Sequence, residues 1–99
     1  MNVPFHFVVP GPLDQATGGY RYVGRIVAAL RNHGRTVIVH ELPGRFPACD
    51  AIARDSARST LEHIPVDEAA IIDGLALPAF YDLLPARAKH VVALIHHPL

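Results

Sequence analysis

The chain has 99 residues, 51% of them hydrophobic and 18% charged, with nine Lys and Arg balancing nine Asp and Glu. A formal net charge of zero argues against nonspecific binding to nucleic acid or anionic membrane, which needs a basic excess. Cys49 is the single cysteine, so an internal disulfide is excluded and a reducing cytoplasm is the expected setting. The N-terminal stretch lacks the positive n-region of a secretion signal, and no apolar run is long enough for a transmembrane segment.

The apolar run VPFHFVV, residues 3–9, ends at Pro10-Gly11 and reads as a buried first strand. A polar loop leads to a helix in which Val23, Ile26, Val27 and Leu30 fall at i, i+3, i+4 and i+7. Arg21, Arg25 and Arg31 lie off that stripe. Thr17 is the candidate N-cap and Gly34 the candidate C-cap. RTVIVHEL, residues 35–42, is almost continuous in β-branched residues, a pattern suited to a strand covered on both faces. Residues 50–63 read as a helix with the thin stripe Ala53, Ala57, Leu61, Ile64. EAAIIDG is a third strand, ending at Asp73-Gly74. LPAFYDLL, residues 77–84, predicts a short helix with Leu77, Phe80, Tyr81 and Leu84 on one face and Pro78 in its first turn. KHVVALIHH, residues 89–97, is a fourth strand.

The resulting order, β-α-β-α-β-α-β, implies an α/β fold: a parallel, three-layer Rossmann-like half-sheet with right-handed crossovers and helices on both faces. It has fewer strands than a full doubly wound sheet and is expected to be incomplete. In such sheets ligands bind beyond the carboxyl ends of the strands. That rule selects residues 10–19, 41–46, 73–75 and 96–99.

Within those stretches the chemistry is sparse. Gly18 and Gly19 stand at a strand-loop-helix junction, where they either bring backbone close to a phosphate at the helix N-terminus or only make a tight turn. Their spacing fits neither the dinucleotide fingerprint nor a P-loop, which removes the support for a nucleotide-dependent oxidoreductase. Arg21 is near enough in sequence to reach a phosphate. Asp73 is either a hydroxyl-binding carboxylate or a turn former with Gly74. His96 and His97 point to opposite faces if the strand continues through them, which disfavours joint metal ligation; a general base or a sugar-hydroxyl partner fits better. His6, His33, His40, His63 and His90 read as structural or surface residues, and Cys49 as inert.

FVVPGPLDQATGGYRYVGRIVAALRNHGRTVIVHEL, followed by AAIIDGLALPAF and VVALIHHPL, resembles the N-terminal domain of GT-B glycosyltransferases of the family 4 (group 1) type. The likeness spans essentially the whole chain and rests on the order and spacing of loose motifs. It implies that residues 1–99 form a partial, acceptor-side domain of a retaining enzyme that moves a sugar from a nucleotide-sugar to an acceptor. It further implies that Gly18 and Gly19 lie against the donor's phosphate or sugar, where Arg21 is near enough to join them, that His96 is the catalytic histidine, and that Asp73 and His97 face the acceptor. No metal or other cofactor is expected. The family's donor-binding domain, with its paired-glutamate motif, has no counterpart here, so the chain is expected to be inactive alone. The competing expectation is a small non-enzymatic module that dimerises or binds a partner through an exposed sheet edge.

Overall fold

A computed structural model describes residues 3–11, 18–86 and 90–95. The strands are β1 (Phe5–Pro10), β2 (Val37–Leu42), β3 (Ala70–Asp73) and β4 (Val91–Leu94), all parallel, in the order β2-β1-β3-β4. The helices are α1 (Gly18–Asn32) and α2 (Ala51–His63). The fold is therefore α/β, a small Rossmann-like half-sheet, as the alternation of patterns predicts.

Side-chain alternation along the strands divides the core into two layers. Phe7 and Val9 of β1 and Val37 of β2 meet Val23 and Val27 of α1 on one face, with Ile26 and Leu30 packed at the margin. Val8, Leu42, Ala70 and Ile72 meet Ala57, Leu61 and Ile64 of the α2 segment on the other. The small residues of the α2 stripe, Ala53 and Ala57, are fully buried, which lets the helix axis lie close to the sheet. The β1-to-β2 and β2-to-β3 steps run in opposite directions across the sheet, so right-handed crossovers must put α1 and α2 on opposite faces.

Both helix ends have local causes. α1 stops in a Schellman motif: Arg35 N donates to Leu30 O and Gly34 N to Arg31 O, both at 3.0 Å. Gly34, at φ +78°, takes the left-handed position the motif requires. Asp50 caps α2, its carboxylate accepting from Ala53 N at 2.9 Å. The other candidate cap, Thr17, lies outside the described residues.

Three expectations change. β2 is an edge strand, so Ile38 is 41% exposed despite the continuous β-branched run. The short helix is not an α-helix. It is a 3-10 turn, Leu77–Phe80, then a bend and a second 3-10 turn, Leu84–Ala86. Pro85 has no N–H for the bond an α-helix would form to Tyr81, so a continuous α-helix through it is interrupted. The tighter winding also rotates Tyr81 off the predicted face, to 61% exposure, while Phe80 is completely buried. Finally, the α1-side face of β3 and β4 is only partly covered: Ile71 and Leu94 pack at the margin of the α1 layer. The β3-to-β4 connection returns on the α2 side, where Ala76, Ala79 and Phe80 join the core. Val92, beside Ile71 and Leu94 on the α1-side face, is left 54% exposed.

Candidate functional site

The direction of chain progression reverses between β1 and β3, because β1 is followed by β2 on one side and α2 then returns the chain to β3 on the other. Connections leave this point on opposite faces, and in open parallel sheets ligands bind beyond the carboxyl ends of the strands at such a point. Pro10-Gly11 and Asp73-Gly74 stand at those ends.

Both strand ends are pinned by backbone bonds. Gly11 N donates to Leu42 O at 2.7 Å, tying the exit of β1 to the end of β2. Gly11, Glu41, Leu42 and Pro43 line a shallow hollow of about 220 Å³ beside it. At β3, the Asp73 side chain is almost fully buried and its Oδ1 accepts from Leu75 N at 2.9 Å. Asp73 O accepts from Ala76 N at 2.9 Å, so the carboxylate and the carbonyl both shape the turn. Gly74 N donates to Leu94 O at 3.0 Å, which draws the end of β4 against this turn. A Cβ on Gly74 would stand 3.0 Å from Ile95 Cδ1, so the glycine permits that approach.

α1 begins at this same edge. Gly18 and Gly19 are its first two residues and Arg21, exposed, follows in the first turn. No acidic side chain lies in that turn. The N–H groups that a helix's first turn presents and the positive end of its dipole are joined there by the charge of Arg21. The arrangement can attract an anionic group at the start of α1.

Of the residues singled out from sequence, Gly18, Gly19 and Arg21 thus stand together on one helical turn, and Asp73 stands at the tip of β3, the neighbour of the strand that leads into that helix. His96 and His97 lie outside the described residues. No group of three or more His, Cys, Asp or Glu side chains able to hold a metal ion occurs among the described residues. No described helix is long and apolar enough to cross a membrane.

A second polar cluster, not assembled by sequence reading, lies toward the opposite end of the sheet. His6, 4% exposed, contacts Glu68 Oε1 through Nε2 at 2.7 Å and His40 Nε2 through Nδ1 at 2.9 Å. Burial, together with the nearby His6 and His63, holds the His40 pKa below its ordinary value. The available signal was FHF: a histidine between two phenylalanines in a buried strand must find polar partners. Those partners are 34 and 62 residues away, so local pattern cannot name them.

Comparison with known protein families, curated proteins and solved structures gives no match to this chain.

Proposed function

We propose that this chain is the acceptor-side, N-terminal segment of a retaining glycosyltransferase of the GT-B, family 4 type, and that it does not transfer sugar alone. The observation that carries the reading is the start of α1. Gly18 and Gly19 open a helix at the carboxyl edge of the sheet, beside the topological reversal, with Arg21 and no acid in the first turn. That is a suitable place for the phosphate of a nucleotide-sugar. Asp73, one strand away, shapes the turn on the proposed acceptor side through its buried carboxylate, His96 is the proposed catalytic histidine, and His97 is proposed to face the acceptor. Stabilising the charge that develops at a sugar carbon requires groups on both sides of it, and this chain supplies one wall.

Two measurements on the chain as it stands test the reading. Titration with nucleotide-sugars, followed by amide NMR, should shift Gly18, Gly19 and Arg21 first. Incubation with labelled nucleotide-sugar and a panel of acceptors should give no product. Unmoved amides in the first turn of α1 would remove the donor-site assignment, and sustained turnover would overturn the claim that the segment is inactive.

A second reading, a module that self-associates through its sheet edge, is favoured by Val92 and Ile95, which are 54% and 57% exposed on and just after edge strand β4. Light scattering at high concentration decides it: a clean monomer removes this reading.

A further inference from the structure

The cluster around His6 supports an inference independent of the sugar-transfer reading. A carboxylate only accepts hydrogen bonds, so with Glu68 ionised the proton in the 2.7 Å contact belongs to His6 Nε2. In the neutral ring Nδ1 then carries a lone pair and accepts from His40 Nε2–H across 2.9 Å. The rings lie nearly parallel, 23° apart, with centroids separated by 5.1 Å. This chain of three side chains joins β1, β2 and the turn that precedes β3.

Its proton count is restricted. One added proton leaves the bond between the imidazoles intact. It either occupies His40 Nδ1, or it occupies His6 Nδ1 while His40 shifts to the Nδ1–H tautomer and accepts at Nε2. In both cases a single hydrogen lies between His6 Nδ1 and His40 Nε2. When both rings are cations, two N–H groups face each other across a 2.9 Å gap, the bond is lost, and two like charges sit in a half-buried space. Glu68 balances one of those charges. His63, in the last turn of α2, adds a third positive charge when protonated, and its Nδ1 already donates to Ser59 O. The neighbouring acid on β2, Glu41, alternates to the other face.

We propose that Glu68, His6 and His40 form a proton-sensitive latch that holds β1, β2 and the turn before β3 together while the two imidazoles share one bridging hydrogen, and that releases when both become cations. The turn that carries Glu68 also carries Asp67, which lines a cavity of about 340 Å³ with Arg35 and His90. Release therefore loosens the amino end of the sheet and this cavity, leaving the turn at Asp73 in place.

The sign follows from linkage. His40 is held below 6.5 in the folded protein, so its contribution is complete above pH 6.5 and is lost as pH falls through the folded value. Each additional proton taken up on unfolding changes the unfolding equilibrium tenfold per pH unit. The test compares urea unfolding of the wild type and His40→Gln from pH 7.5 to 5. The glutamine amide still donates to His6 Nδ1 but takes no proton. Below pH 6.5 the ratio of the two unfolding constants should change by up to about tenfold per pH unit. A ratio constant with pH overturns the latch. Ring NMR of the wild type supplies the same decision without a variant. His6 should be the Nε2–H tautomer at pH 7.5, and entry of the second proton should coincide with loss of amide protection at Phe7 and Val39. Two independent titrations at the ordinary histidine value, with protection unchanged, would refute it.

Discussion

Replacing Gly44 by alanine tests how the loop at the end of β2 is fitted against α2. Gly44 has φ +106°, and a Cβ built there would stand 2.4 Å from Ala53 N and 2.6 Å from Ala53 Cα. Both atoms are backbone of the first turn of α2, so no side-chain rotation relieves the overlap. Gly34 is the matched control: its φ is also positive, at +78°, but a Cβ there meets nothing within 4 Å. Both substitutions pay the left-handed penalty, about 1–2 kcal/mol, partly offset by about 0.4–1 kcal/mol from the stiffer unfolded chain. Only Gly44→Ala must also move the loop from 2.4 Å to at least 3.4 Å, a shift of about 1 Å. That strains the Arg45 N–Asp50 and Ser56 Oγ–Pro43 O bonds. Overpacking of this kind costs roughly 1–3 kcal/mol. The expected losses are thus about 1 kcal/mol for Gly34→Ala and about 2–4 kcal/mol for Gly44→Ala, against a total stability on the order of 5–15 kcal/mol. Urea unfolding at pH 7, monitored by far-UV circular dichroism, reads both, provided that the denaturant slope is unchanged. Equal losses for the two variants would refute the close-approach argument.

Phe80→Ala should cost about 3–5 kcal/mol because the ring is completely buried between α2 and the sheet, whereas Tyr81→Ala should stay within about 0.5 kcal/mol; chemical unfolding distinguishes them. Asp50 is held below its ordinary pKa by the backbone N–H groups of Ala53 and then Arg45. Its contribution is therefore present above pH 3.8 and lost as pH falls through the folded value, so Asp50→Asn should keep the cap at pH 7 but flatten the acid limb of the stability curve, while Asp50→Ala should lose the cap at both pH values. Val92→Lys should leave stability nearly unchanged and abolish any self-association seen by light scattering, because it puts a charge at an exposed apolar position of edge strand β4.

The elements legible in sequence are those whose causes are local. The α1 stripe, the Ala53–Ala57–Leu61–Ile64 stripe, the Gly34 stop and the turn at Asp73 each depend on residues within a few positions, and each forms as read. What escaped is what depends on the sheet as a whole. A β-branched run does not reveal that β2 lies at an edge, since edge position follows from strand order. The LPAFYDLL segment has the apolar spacing of a helix, but Pro85 and its short connection select the tighter 3-10 winding. That Gly18, Gly19, Arg21 and Asp73 gather at the carboxyl edge was legible because parallel alternation determines which strand ends share an edge. The His6 cluster was not, because its bonds span three separate elements.

His6 and Asp73 are the two buried polar or charged side chains among the described residues, and they lie toward opposite ends of the two central strands. Burial costs each the same kind of desolvation, but the fold compensates them differently. Asp73 accepts from the amide two residues ahead, so its turn forms with the local chain. His6 gains its partners only when β2 and the turn before β3 have docked on β1. Its compensation therefore belongs to the assembled sheet and is sensitive to the charge state of three side chains at once. The two ends therefore differ in kind: the buried carboxylate at the carboxyl end accepts from its own turn, whereas the buried imidazole at the amino end is satisfied only across docked strands.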